Sequence, residues 1–157
     1  MIKHTNGDLV ELAKAGYFDL IAHGCNCYCK MKKGIAKSIA SQWPQVEVVD
    51  KLFPFPPGPD RLGKISITSE PSGLTIINAY TQLRYWREPW EYSGVPLVNY
   101  AAIEECFTEI YQMTNPETRI GIPLIGAGLA EGDWNIILPI IDNVMKDRDV
   151  TVVHFSG

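Results

Sequence analysis

The chain has 157 residues, of which 46% are hydrophobic and 20% charged, with 14 Lys and Arg set against 18 Asp and Glu. That is the length and mix of one globular domain, residues 1–157, and it fits disorder, collagen and coiled coil poorly. A net charge of −4 gives no bulk attraction for a phosphate backbone. An anionic ligand must therefore be held by local backbone dipoles or a few placed groups.

No apolar run approaches the ~20 residues that span a bilayer, so no membrane partner is expected. The first six residues lack the apolar core of a secretion signal, and a cytoplasmic location is expected. In that setting the four cysteines read as reduced thiols.

In chain order, residues 2–5 read as a short strand. Asn6-Gly7 marks a turn, and Asp8 caps a helix through Leu9, Val10, Leu12 and Ala13 that Gly16 ends. Residues 18–22 form a compact apolar run, a buried strand. Ile35, Ile39 and Trp43 stand at helical spacing over residues 34–43, and Pro44 stops that helix.

Residues 53–61 hold four prolines in nine positions. A surface loop is expected there, with a Pro-rich recognition motif as the alternative. Residues 65–68 and 74–80 read as a hairpin turned by Pro71-Ser72-Gly73. Residues 83–94 are dense in aromatics and charge and read as a lid or a packing insertion.

A long helix is expected over residues 97–113 and a strand over 118–123. A glycine-rich loop then leads into a helix over 134–145, where Pro139 implies a kink or a late start. Residues 150–155 are the last, β-branched strand. The alternation implies an α/β sheet of about six strands with helices on both faces. In such sheets ligands bind outside the carboxyl ends of the strands, here after Ala22, Tyr80, Pro123 and Val153.

Two segments have the composition of phosphate cradles. The first runs from His23 to Ala36, a small-residue loop reaching a helix start at Gly34. It contains Cys25-Asn26-Cys27-Tyr28-Cys29. Those thiols, with His23 and Cys106 recruited, are either a metal site or buried small residues. The second runs from Ile122 to Trp134, with three glycines between a strand and a helix. It is a backbone-amide cradle or a mobile surface loop. Neither segment is a Walker A or dinucleotide fingerprint.

With these pieces together the sequence resembles the macrodomain family, an ADP-ribose-binding module. The pieces are Gly7-Asp8-Leu9, the strand to Cys25-Asn26, Gly34-Ile35-Ala36, the run from Ile76 to Gln82, and Pro123-Leu124-Ile125-Gly126-Ala127-Gly128-Leu129. They occur in the family's order and span nearly the whole chain. The extension to Trp134 looks most like the branch of ADP-ribose 1''-phosphate phosphatases and terminal ADP-ribose glycohydrolases.

The resemblance implies a three-layer α/β/α sandwich with a mixed, mainly parallel sheet. It implies ADP-ribose or ADP-ribose 1''-phosphate as ligand, and nucleic acid only as an ADP-ribosylated substrate. No cofactor and no metal are called for. It places Asp8, with Leu9 beside it, at the adenine amino group and Asn26 at the distal ribose. Gly34, Ile35 and Ala36, and Gly126, Ala127, Gly128 and Leu129, become the two phosphate loops, and Phe155 stacks near adenine.

Asp133 would orient or deprotonate the attacking water and His23 would serve as general acid, with Asn26 beside the reacting group. Each has a structural alternative. Asp133 and Asp8 are also helix caps, Asn26 a turn residue, His23 a hydrogen-bonded strand-end residue and Phe155 a core residue.

The chain departs from the family where glycohydrolase relatives carry a lysine. Here that position is approximately Gln82, which cannot form a covalent adduct with the ribose. The loop between Asn26 and Gly34, commonly glycine-rich, carries Lys30, Lys32 and Lys33 instead. The expected function is phosphate removal from ADP-ribose 1''-phosphate. The alternatives are a hydrolase that removes ADP-ribose from protein or nucleic acid, and a non-catalytic reader.

Overall fold

The computed structural model describes residues 2–91 and 95–156. Six strands form one sheet in the order β1-β6-β5-β2-β4-β3. They are β1 (Lys3–Gly7), β2 (Leu20–Asn26), β3 (Ile65–Ser69), β4 (Thr75–Gln82), β5 (Arg119–Ile122) and β6 (Asp149–Phe155). Among these strands β3 and β4 pair antiparallel and the other neighbours pair parallel. The expected hairpin makes the antiparallel pair, turning where Gly73 takes φ +96°.

Helices α1 (Leu9–Lys14), α2 (Gly34–Gln42) and α3 (Gln45–Leu52) cover one face, and α4 (Tyr100–Met113) and α5 (Trp134–Val144) cover the other. The architecture is the expected three-layer α/β/α sandwich with a mixed, mostly parallel sheet. Strand alternation builds the two cores: Leu20 and Ala22 face the α4–α5 side, while Ile21 and Cys25 face the other.

Several expectations change in detail. Strand β2 does not stop at Ala22 but runs on to Asn26, because its ladder with β4 continues across a register shift between Cys25 and Asn26. Helix α3 had no counterpart in the sequence reading: Pro44 ends α2 and also stands as N-cap of α3, where a missing N–H costs nothing. Helix α4 begins at Tyr100, since Val98 bridges to Gln82 and Asn99 caps the helix by accepting from Ala102 N. Helix α5 runs from its cap at Asp133 straight through Pro139, so a late start is ruled out.

The Pro-rich segment is a loop that ends in a 3-10 turn over Pro59–Arg61, and its last residue is no surface group. Arg61 is 0% exposed. Among the described residues no helix is long and apolar enough to cross a membrane. No group of three or more His, Cys, Asp or Glu is placed to hold a metal ion among them.

Candidate ligand-binding site

A cleft of about 1020 Å³ opens at the carboxyl ends of the parallel strands. The topology produces it. Strands β2 and β5 are neighbours but pair only at Leu20↔Ile120 and Ile21↔Gly121. Beyond that, the loop after β2 leads to α2 on one face, while the loop after β5 leads to α5 on the other. Two neighbouring strands whose exits leave to opposite faces open a crevice between their loops.

The first wall is the segment from Asn26 to Ala36. Asn26 holds its turn: Oδ1 accepts from Tyr28 N at 2.9 Å and Lys30 N at 3.4 Å, and Nδ2 donates to Lys30 O at 2.9 Å. Lys30, Lys32 and Lys33 line the cleft, and Gly34, Ile35 and Ala36 follow at the start of α2. No side chain caps that start; its N-cap, Lys33, makes no cap bond. Unpaired amides and the positive end of the helix dipole therefore open on the cleft among three cationic side chains.

The second wall is the segment from Pro123 to Glu131. Gly126 takes φ +77°, and a Cβ there would stand 2.8 Å from the Val98 side chain and 3.1 Å from that of Ile137. Gly132 N donates to Gly126 O at 2.6 Å, and Leu97 N donates to Ala130 O at 2.8 Å. The loop is thus closed by its own backbone and pressed onto the core. Gly128 has open space where a Cβ would be, so it presents bare backbone to the cleft.

At the far ends lie Asp8 and Leu9, at the start of α1, and Val153 and Phe155, from β6. Asp8 Oδ1 caps α1, accepting from Val10 N at 2.9 Å and Glu11 N at 3.2 Å. Phe155 is 75% exposed, a rim residue and not a core one.

The structure thus gathers Asp8, Leu9, Asn26, the two loops and Phe155 around one cleft. It does not bring His23 or Asp133 to it. His23 is buried on the α3 side of the sheet, where its Nε2 donates to Asn78 Oδ1 at 2.7 Å. Burial holds its pKa down to about 4, so it stays neutral at pH 7. Asp133 is exposed at the start of α5, its Oδ1 accepting from Asn135 N at 2.9 Å. Burial pushes the thiols of Cys25, Cys27, Cys29 and Cys106 up, Cys27 to about 11, which keeps them protonated.

The aromatic segment, read from the sequence as a lid or a packing insertion, reaches the cleft. Tyr85 and Arg87 line it from that segment, Gln82 from the end of β4, and Glu131, which the sequence reading left out of the site, from the second loop. Arg87 pairs with Glu131 at 3.1 Å, joining that segment to the glycine loop. Tyr28 packs on Trp86 with ring centroids 5.1 Å apart, joining it to the first wall too. Trp90 is 78% exposed, while Tyr92 and Gly94 lie outside the described residues. A sequence signal existed for Glu131, which sits inside the glycine-rich loop. For Tyr85 and Arg87 the signal was the dense run of aromatics and arginines over residues 83–94.

No protein-family model matches the sequence. The chain is 28% identical over 162 residues to an uncharacterized 17.5 kDa protein of Enterobacteria phage T4, from the tk-vs intergenic region, covering 99% of this chain and 97% of that one. Among solved structures, it superposes on a protein of unknown function from Bacteroides thetaiotaomicron. There the TM-score is 0.78 at 25% identity, over 98% of both chains. It also superposes on a macrodomain protein from Streptomyces coelicolor, with a TM-score of 0.74 at 21% identity over 100% of this chain and 99% of that one. The chain has the macrodomain fold. A Trypanosoma brucei macrodomain solved in complex with ADP-ribose shares that fold, with a TM-score of 0.64 at 13% identity over 99% of this chain and 64% of that one. These likenesses extend to the fold and do not single out a phosphatase or glycohydrolase branch.

Proposed function

We propose that the cleft binds ADP-ribose and that the chain hydrolyses an ADP-ribose derivative, ADP-ribose 1''-phosphate first. One observation carries the reading. The uncapped start of α2, with three lysines beside it, and a bare glycine loop line the same cleft. Two backbone cradles on one cleft suit a diphosphate. The macrodomain fold, seen with ADP-ribose bound in the trypanosome protein, supports the choice of nucleotide.

In this reading Asp8 keeps Oδ1 on the helix cap and offers Oδ2 to the adenine amino group, with Phe155 over the ring. Asn26 has one amide proton left for the distal ribose. The attacking water adds to phosphorus, and the bond from phosphorus to the ribose C1'' oxygen breaks, giving ADP-ribose and inorganic phosphate. The loop amides hold the charge that builds on the phosphoryl oxygens. Glu131 is a carboxylate that lines the cleft. It takes the water-orienting role that the sequence suggested for Asp133, whose carboxylate caps α5. His23, neutral and buried, takes no part.

The test is phosphate release from ADP-ribose 1''-phosphate beside ADP-ribose calorimetry, with wild type, Glu131→Gln and Asp133→Ala. Release lost only in Glu131→Gln, with binding kept, supports the full reading. Loss in Asp133→Ala alone returns the role to that residue. Binding without release by wild type removes the phosphatase reading. It leaves a reader or a de-ADP-ribosylating hydrolase, to be tried on modified protein and DNA.

A further inference from the structure

Two features of the sequence find no use in ligand binding: the Pro-rich segment and the run of cysteines. The structure joins them. Residues 53–61 pass beneath the first wall of the cleft, and Gly58 N donates to Cys27 O at 3.0 Å. The segment ends at Arg61, whose guanidinium is sealed beneath the same wall.

Every polar contact of that guanidinium goes to a named partner. Nε donates to Phe55 O at 2.8 Å. Nη1 donates to Asp50 O at 3.0 Å and pairs with Asp50 Oδ1 at 3.2 Å, with both side chains 1% exposed. Nη1 also donates to Cys29 Sγ at 3.3 Å. Cys29 Sγ in turn donates to Asp50 O at 3.8 Å. The rings of Phe53 and Tyr80 each lie 5.4 Å from the guanidinium carbon.

A buried ion pair is a poor device for stability, since desolvation consumes most of its attraction. Its use is to specify one geometry, and here the geometry is unusual. Cys29 has φ +61°, a left-handed conformation that a cysteine seldom adopts. It lies between Asn26 and Lys30, so this one turn decides where the lysine-bearing wall stands. A glycine in its place would take that conformation freely but would have no side chain to anchor. The thiol gives Arg61 something to hold.

We propose that Arg61 is the positioning residue of the cleft. Fixed by Asp50, it holds the left-handed turn at Cys29 through the thiol and so sets Asn26 and the three lysines against the ligand. The proposal deepens the ADP-ribose reading and rests on it for the ligand arm of its test. The mechanical arm does not need a ligand.

Cys29 is the one partly exposed residue of the four cysteines, the other three being buried. Its alkylation by iodoacetamide therefore reads the turn, and because loss of the Arg61 bond by itself would raise the thiol pKa and slow the reaction, a faster reaction reports an opened turn. Arg61→Lys keeps the charge beside Asp50 and loses the planar fork that reaches Phe55 O and Cys29 together. At matched circular dichroism, Cys29 alkylation in Arg61→Lys is expected to rise about tenfold and ADP-ribose affinity to fall about tenfold.

Both quantities unchanged would overturn the proposal. So would faster alkylation with unchanged affinity, because the turn would then not govern the site. Lost affinity with unchanged alkylation would overturn the route through Cys29. If wild type does not bind ADP-ribose, the ligand reading fails, and alkylation still decides whether Arg61 holds the turn. If Arg61→Lys does not fold, Cys29→Ser and Cys29→Ala decide by ADP-ribose affinity. The serine, which keeps an acceptor for Arg61, is expected to retain more affinity than the alanine. Equal loss in the two overturns the proposal.

Discussion

The two walls of the cleft are built on opposite principles. The wall after β5 is held by what it lacks: without a Cβ at Gly126 it presses against Val98 and Ile137 and closes with a backbone bond from Gly132. The wall after β2 is held by side chains. Asn26 closes its first turn, and Arg61, 32 residues away from Cys29 along the chain, anchors the same turn from below. A wall made by omission tolerates no added volume. A wall made by polar contacts tolerates volume but no loss of a partner.

Gly126→Val tests the wall after β5 most harshly. The β-branched side chain meets Val98 and has to adopt φ +77°, so a loss of about 3 kcal/mol of stability is expected in urea unfolding. Stability within experimental error of wild type would mean that the loop is not pressed on the core.

Behind the wall after β2, His23 should make stability depend on pH. Its folded pKa of about 4 lies below the unfolded value near 6.5, so the unfolded chain binds the proton more readily. Its contribution is full above pH 6.5 and is lost as the pH falls towards 4, amounting to about 3 kcal/mol. Urea midpoints at pH 7 and 4.5 should fall apart more in wild type than in His23→Gln. Equal slopes would refute the assignment.

Asn26→Ala removes three hydrogen bonds of the first turn and should cost about 2 kcal/mol, with ADP-ribose binding weakened as well. Asp133→Ala, read as the loss of a helix cap, should cost about 1 kcal/mol in thermal unfolding and leave ADP-ribose affinity alone. Gly128→Ala is the mildest change to the fold, because its Cβ would meet no protein atom. Stability should stay within about 0.5 kcal/mol, while ADP-ribose affinity drops because the methyl group fills the cleft. Unaltered affinity would show that the backbone at Gly128 does not meet the ligand.

The contrast between the walls also explains what was legible beforehand. The glycine loop could be read directly, since missing side chains are written in the sequence, as were Asp8 before its helix and Gly34 at the start of α2. Strand β2 was cut short because His23, Gly24 and Asn26 look like loop residues. Their pairing with β4 overrides that local preference. Helix α3 was hidden by Pro44, which ends one helix and begins another. His23 and Asp133 looked catalytic by residue type and by their places in the chain. Which face of the sheet His23 meets, and which amide the Asp133 carboxylate takes, are set by neighbours distant in the chain or by local helix geometry.

By itself the sequence determined the order of the six strands, every helix but α3, the α/β class, the two loops and the resemblance that suggests a ligand. All of these rest on periodicity, turn residues and short runs of neighbours. Only the tertiary structure decided that β2 and β5 part after two residue pairs to open the cleft. It also decided that His23 is sealed away and that Arg61 lies beneath the lysine-bearing wall. The reason is physical. Burial and hydrogen-bond partnership depend on contacts between segments far apart in the chain, and no local pattern records which distant side chain will fill a given space.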